Sequence, residues 1–159
     1  MNAMENLSQV SGENEFLIWV SGDRHYALEL AACQEVVNDV LITRLPKAPK
    51  YVQGLGNLRG NVISIIDLEV LLGYRKEVKH SDTCSIIRIR TDGYALAVAV
   101  DSVKDAVAIR EEDIEAAPAN LTEAEGNYIR KVIKIQEGLA LVPDFELITT
   151  GIYHTKQIK

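Results

Sequence analysis

Short apolar segments separated by turn-forming residues restrict this chain to a β-rich fold. Residues 16–20 and 25–30 are apolar and rich in strand-forming residues, and Gly22-Asp23 between them supplies a turn. Together they predict a β-hairpin. A third strand is predicted over 34–37. The proline-containing stretch 45–49 is predicted as a loop, because proline removes a ladder donor and constrains the residue before it.

A second hairpin is predicted with strands over 53–58 and 62–66 and a turn at Arg59-Gly60-Asn61. Its second strand is almost continuously apolar, which indicates that both of its faces are covered. Asp67 follows and is predicted as the N-cap of a short helix that ends at Gly73. Three apolar residues of this region are predicted as core residues: Leu41, Ile42 and Val62.

The rest of the chain resumes the same alternation of strands and turns. Residues 1–14 lack a clear period and are predicted as a flexible N-terminal segment, which leaves 15–150 as the folded part. The other predicted elements are a connector over 74–83, a hairpin over 84–100 turning at Asp92-Gly93, a helical turn over 110–114, a loop over 116–125, a hairpin over 128–142 turning at Glu137-Gly138, and a polar C-terminal tail over 151–159.

Two short strings recur along the chain. Tyr26-Ala27-Leu28 returns as Tyr94-Ala95-Leu96, an offset of 68 (94 − 26), and Asp67-Leu68-Glu69 returns as Asp144-Phe145-Glu146, an offset of 77 (144 − 67). Each half of the chain therefore has an early hairpin and a late strand that ends in an aspartate and a helix. This predicts two related β lobes. Coincidence between short apolar strings is the alternative that periodicity alone leaves open.

Charge and hydropathy exclude several classes of protein. The formal net charge of −6 disfavours binding to nucleic acid or anionic lipid, both of which require basic surface. No apolar run reaches the ~18 residues that span a bilayer, and residues 1–15 lack a signal-peptide pattern. A cytoplasmic protein without direct membrane insertion is therefore predicted. Cys33 and Cys84 are interpreted as reduced core or interface residues rather than a disulfide.

No catalytic, metal or cofactor site is predicted. The three histidines are scattered, without the spacing of a zinc site. Gly54-Leu55-Gly56 lacks the third glycine of a dinucleotide fingerprint and the Lys-Ser/Thr of a phosphate loop. Asp67 is interpreted as a helix cap rather than a catalytic acid. The acidic run Glu111-Glu112-Asp113 is interpreted as a helix start.

Gly54-Leu55-Gly56-Asn57-Leu58-Arg59-Gly60, followed by the apolar strand 62–68 that ends in Asp-Leu, resembles the signature of the CheW family of chemotaxis coupling proteins. The segments 42–46, 48–52 and 100–103 agree with it, and the likeness extends from about 16 to 148. The resemblance implies an all-β fold of two SH3-like five-stranded β-barrel lobes with short helices. It also implies a non-enzymatic adaptor that joins the cytoplasmic tips of chemoreceptors to the regulatory domain of the histidine kinase CheA at membrane receptor arrays.

The resemblance further implies a receptor-binding site at the Asn-Leu-Arg-Gly turn. Arg59 would make the contact, because its planar fork of donors suits carboxylates and helix-end carbonyls. Asn57 and Gly60 would shape the turn. Glu35 and Val36 on the third strand would add a charge beside a small apolar patch. A solvated turn arginine and an edge-protecting glutamate are the alternative interpretations; the kinase-binding residues stay unknown.

Some positions depart from the family pattern: Cys33, Gly56, Arg130-Lys131 and Pro143. They leave open an inhibitory or divergent paralogue that serves a pilus or another chemosensory pathway. A small-molecule sensor or enzyme on a β-barrel is a further alternative, which would need a concave pocket with convergent polar groups.

Overall fold

The computed structural model describes residues 14–157, with side chains described as far as residue 153. The described chain is mostly β-sheet, and short 3-10 turns occur at Leu30–Ala32 and Glu111–Asp113. The α-helices are α1 (Leu68–Leu71), α2 (Glu123–Tyr128) and α3 (Phe145–Gln157). The strands are β1 (Glu15–Ser21), β2 (Arg24–Glu29), β3 (Cys33–Thr43), β4 (Val52–Leu58), β5 (Asn61–Ile66), β6 (Thr83–Ile89), β7 (Leu96–Val100), β8 (Ser102–Ala108), β9 (Ile114–Ala116), β10 (Ile129–Ile135) and β11 (Gly138–Pro143).

The strands form two lobes, which confirms the predicted all-β fold. The barrel lobe is a closed five-stranded barrel in the order β3-β4-β5-β7-β6. The sheet lobe has six strands in the order β8-β1-β2-β11-β10-β9. Its edge strands β8 and β9 are consecutive in the chain and are joined through the 3-10 turn Glu111–Asp113. The sheet lobe is therefore the same five-strand arrangement with its third strand broken in two.

The two halves of the chain do not each build one lobe. The hairpin β1-β2 belongs to the sheet lobe and the hairpin β6-β7 to the barrel lobe, so each half gives its first hairpin to the other lobe. Parallel pairing holds each exchanged hairpin in place, between β5 and β7 at Ser64↔Leu96 and between β11 and β2 at Leu141↔Tyr26. The lobes are thereby interleaved along the chain.

The strand register locates the internal repeat. Hairpin β10-β11 follows hairpin β4-β5 at an offset of 77 (138 − 61), and both hairpins carry a register shift near the start of their first strand. Asp67 and Asp144, predicted as equivalent, both accept hydrogen bonds from the backbone of the next turn. The offset of 68 for the first hairpins is wrong. Leu96, not Tyr94, pairs as Tyr26 does, an offset of 70 (96 − 26).

The largest apolar cluster lies between the lobes. It takes Leu17 and Trp19 from the sheet lobe, Ile87 from the barrel lobe, and Ile148 and Ile152 from α3. Each lobe also has a smaller cluster of its own. Because burial of apolar side chains is the main stabilising contribution to folding, the junction is a core rather than a hinge between separate domains.

Two residues predicted as core are exposed. The exposed fractions are 73% for Leu41 and 59% for Val62. Successive side chains in a strand point to opposite faces, and here Val40 and Ile63 point into the barrel. Their neighbours Leu41 and Val62 therefore point outward, whereas Ile42 packs against the barrel cluster as predicted.

The C-terminal part is more helical than the sequence predicted. The stretch from residue 151, predicted as a polar tail, continues α3 as far as Gln157. Phe145, Ile148 and Ile152 recur at helical spacing and are buried in the junction cluster. The loop predicted over 116–125 contains the start of α2, and the strands β8 and β9 were not predicted. The segment 1–14 lies outside the described residues except for its last residue.

Candidate partner-binding site

The tip of hairpin β4-β5 is a two-residue turn with an unusual backbone. Arg59 and Gly60 both have positive φ, 53° and 86°. Positive φ at both central residues defines a type I′ turn, whose twist matches that of the flanking strands. The side-chain oxygen of Asn57 accepts a hydrogen bond from the N–H of Gly60 at 2.9 Å. Asn57 and Gly60 thus shape the turn, and Arg59 occupies a backbone position that glycine or asparagine usually fills.

An ion pair ties this turn to strand β3. One terminal nitrogen of Arg59 donates to both carboxylate oxygens of Glu35, at 2.7 and 2.6 Å. The Arg59 side chain is 66% exposed, whereas that of Glu35 is 17% exposed. Hydrogen bonding to Glu35 raises the pKa of Arg59 above its usual value. The structure therefore joins two residues that the sequence analysis selected separately, and it presents the guanidinium to solvent.

The irregular pairing of strand β3 positions Glu35 beside the Arg59 turn. Register shifts interrupt the pairing of β3 with β6 between Cys33 and Glu35 and again between Val37 and Val40. Asp39, in the second interruption, has φ of 54°. On its other side β3 pairs with β4 only at Ile42 and Thr43. The strands diverge beyond that point and leave a groove that leads towards the Arg59 turn.

The groove between β3 and β4 has a volume of about 570 Å³ and an apolar rim. Leu41 on one side and Val62 on the other are its most exposed apolar side chains. Val62 lies opposite Asn57 in the strand pairing, next to the turn. From the sequence, both apolar residues were predicted as core rather than as contact residues. Strand alternation was the available signal, because neighbouring residues of a strand point to opposite faces and Val62 and Ile63 cannot both face the barrel interior.

Val36 occupies a different face of β3 from the groove. It is half-buried and packs against the junction cluster, whereas Val37 packs into the barrel and lines the groove. The structure thus brings together four of the five predicted site residues, Glu35, Asn57, Arg59 and Gly60, and places Val36 beside them towards the sheet lobe. Their role in binding a partner stays a prediction.

No cluster of histidine, cysteine, aspartate and glutamate within residues 14–157 is arranged to hold a metal ion. Cys33 and Cys84 are free thiols, and burial raises the pKa of each to about 11. A thiol with so high a pKa is a poor nucleophile near neutral pH. No helix in this part of the chain is long and apolar enough to span a bilayer.

A charged turn lies beside an apolar groove on this two-lobed β framework, an arrangement typical of surfaces that bind another protein. Apolar burial supplies affinity in such a surface, while rim charges set orientation and rate. Comparison with known families agrees with this description. The model of the CheW-like domain matches residues 15–152, nearly all of the described chain. The chain belongs to the CheW-like domain family, whose members are scaffold proteins of chemotaxis.

Individual relatives cover most of the chain. It is 31% identical over 109 residues to the chemotaxis protein CheW of Helicobacter pylori, spanning 69% of this chain and 66% of that protein. It is 26% identical over 154 residues to the chemotaxis protein CheW of Klebsiella aerogenes, spanning 95% and 92%. The crystal structure of the scaffolding protein TtCheW from Thermoanaerobacter tengcongensis is similar, with a TM-score of 0.69, 27% identity, and coverage of 82% of this chain and 88% of that chain.

Proposed function

We propose that this protein is a non-enzymatic cytoplasmic adaptor that couples chemoreceptors to the histidine kinase CheA. It would bind the cytoplasmic tips of the receptors and the regulatory domain of CheA, and so be recruited to membrane receptor arrays. The observation that carries the proposal is the exposed guanidinium of Arg59 on the turn of hairpin β4-β5, held by the ion pair with Glu35 of β3. Membership of the CheW-like domain family supports it.

The geometry of the turn suits a helical partner. Glu35 engages one terminal nitrogen of Arg59, which leaves other donors of the guanidinium directed to solvent. Those donors can bind carboxylates or the free carbonyls at the end of a helix. The adjacent groove, with Leu41 and Val62 exposed, can receive apolar side chains from the same helix. A receptor tip with acidic and apolar residues on one face would match this surface.

The test is CheA autophosphorylation with cognate receptor fragments, with and without this protein. Wild-type protein is expected to stimulate the kinase strongly. Arg59→Ala is expected to weaken both receptor binding and stimulation by at least roughly tenfold, as loss of a central interface arginine does. The matched control is Arg110→Ala in the sheet lobe, since Arg110 is also exposed and ion-paired, 3.0 Å from Glu112. The control should retain wild-type stimulation.

A second variant, at Glu35, shows whether this residue contacts the receptor or only positions Arg59. Glu35→Gln keeps the shape of the side chain and removes its charge. If Glu35 only orients Arg59, the double variant with Arg59→Ala will be no weaker than Arg59→Ala alone. If Glu35 touches the receptor itself, its loss will add a further reduction in binding.

Binding measurements can contradict the proposal. A folded wild-type protein that binds neither receptor fragments nor the CheA regulatory domain at micromolar concentration would contradict it. Binding without stimulation would point to the inhibitory or divergent paralogue. Two of the departures from the family pattern give that alternative no support, because Cys33 is buried at the lobe junction and Gly56 faces Val40 and Ile65 inside the barrel.

A further inference from the structure

A buried carboxylate, that of Glu69, lies at the junction of the lobes, where residues of the sheet lobe meet helix α1. Glu69 on α1 is 3% exposed, although charged residues are seldom so buried unless they are paired. We propose that Glu69 is the centre of a latch that fixes the orientation of the two lobes. This role is independent of which partners the protein binds.

The first layer of the latch joins α1 to hairpin β1-β2. Arg24 donates to one carboxylate oxygen of Glu69 at 2.9 Å, and the hydroxyl of Tyr26 donates to the other. Tyr26 is fully buried, and α1 follows directly from strand β5 of the barrel lobe. Because β1 and β2 belong to the sheet lobe, both hydrogen bonds cross the junction.

The second layer extends the latch to two further segments. The guanidinium of Arg24 lies over the ring of Tyr74, 3.5 Å from its centroid. The hydroxyl of Tyr74 donates to Glu125 on α2. The chain of contacts thus runs from Tyr26 through Glu69, Arg24 and Tyr74 to Glu125, and it connects the two lobes with the connector between them. Each polar group is partnered, as buried polar networks require.

The turn of hairpin β1-β2 is shaped to admit this carboxylate. Gly22 has φ of 61°, and a Cβ atom at that position would collide with a carboxylate oxygen of Glu69. The N–H of Gly22 donates to Asp101 at 2.8 Å, which holds the turn in place. A glycine is therefore needed both for the backbone angle and for the close approach.

The internal repeat provides a comparison within the same molecule. Glu146 is equivalent to Glu69 (146 − 69 = 77) but is exposed. Leu96 takes the place of Tyr26 and Tyr94 that of Arg24, so neither partner of a buried carboxylate is present. An open cleft of about 610 Å³, bordered by Tyr94, Phe145 and Glu146, occupies that side of the junction. Among the described residues, the buried carboxylate network is therefore present on one side of the junction only.

Hydrogen exchange of the full chain tests the latch. Glu69→Gln should raise exchange by roughly tenfold or more in α1, 22–26, 74–75 and 123–128, because each lost hydrogen bond to a charged group opens this region locally. Amides inside the barrel, such as those of Ile86 and Ala97, should keep wild-type protection. Glu146→Gln, the equivalent change on the unlatched side, should leave all of these rates unchanged.

If Glu69→Gln does not fold, the milder variant Tyr74→Phe tests the latch. Tryptophan fluorescence gives a second measurement. Tyr74→Phe removes only the hydroxyl of the second layer and should raise exchange in 74–75 and 123–128 alone. Trp19 is the single tryptophan and stacks on Tyr26 at 5.5 Å, so its emission should change in Glu69→Gln and not in Glu146→Gln. A uniform rise of exchange over the chain in Glu69→Gln would overturn the latch. Unchanged exchange in both Glu69→Gln and Tyr74→Phe would overturn it as well.

Discussion

At the scale of single residues, the two lobes differ at the positions proposed to bind the receptor. By the strand register, Asp105 is equivalent to Glu35 (105 − 35 = 70) and Gln136 to Arg59 (136 − 59 = 77). The uncharged Gln136 cannot form the ion pair that Arg59 makes. The Arg59–Glu35 ion pair therefore has no equivalent at the corresponding positions of the sheet lobe, although both lobes share one architecture.

Gly56 shows how closely the barrel interior is packed. A Cβ atom there would lie 3.0 Å from both Ile65 Cδ1 and Val40 Cγ1. Gly56→Val should therefore lower the free energy of unfolding by about 1 to 3 kcal/mol, as overpacked cores do. Urea denaturation followed by circular dichroism measures it. Gly126→Ala is the control, because a Cβ there meets nothing within 4 Å, and it should be neutral or slightly stabilising.

At the scale of elements, α3 secures the junction. Ile152 is 5% exposed, and Tyr153 stacks on Tyr94 of the barrel lobe with ring centroids 4.2 Å apart. Ile152→Ala should lower the free energy of unfolding by about 2 to 4 kcal/mol, because it leaves a cavity in the junction cluster. Thr150→Ala on the exposed side of the same helix should change it by less than about 0.5 kcal/mol. Equal effects of the two changes in thermal unfolding would contradict this role of α3.

Glu125 on helix α2 makes the free energy of unfolding depend on pH in the acid range. Hydrogen bonds from Tyr74 and from Thr122 hold the pKa of Glu125 below its usual value. The folded state thus favours the carboxylate, so this contribution is present above the unfolded-state pKa of about 4.3 and is lost as pH falls through the lower folded-state value. Urea unfolding of Glu125→Gln between pH 7 and pH 3 should show a shallower loss of stability than wild type. An unchanged pH profile would exclude the contribution.

At the scale of the whole molecule, the exchange of hairpins makes the lobes interdependent. The barrel lobe needs β6 and β7 from the second half of the chain, and the sheet lobe needs β1 and β2 from the first. Neither half contains a complete lobe. The largest apolar cluster, moreover, is shared between the lobes.

Unfolding should therefore be a single cooperative transition. Differential scanning calorimetry should give one peak whose calorimetric and van't Hoff enthalpies agree, as for a two-state domain. A fragment that ends at residue 78, between β5 and β6, should remain unfolded. Two resolved transitions, or a folded fragment, would show that the lobes are independent.

The sequence by itself determined the local structure. The turn at Gly22-Asp23, the cap at Asp67 and the stop at Gly73 were predicted correctly, because they depend on backbone preferences and on neighbours a few residues away. The turn predicted at Arg59-Gly60-Asn61 is formed by its first two residues, and Asn61 begins strand β5. Thr122 and Glu125 carry the same kind of local signal, a capping box, which was overlooked. The Asn-Leu-Arg-Gly string also indicated the family.

Tertiary structure alone decided how these pieces combine. The Glu35–Arg59 pair joins residues 24 positions apart, and the Tyr26–Glu69 contact joins residues 43 apart. Leu41 and Val62 are exposed because their neighbours Val40 and Ile63 point into the barrel, which the apolar character of Leu41 and Val62 does not reveal. Strand pairing over long range is set by the sum of many weak contacts in the folded state. That sum, rather than any local pattern, interleaves the lobes and forms the groove and the latch.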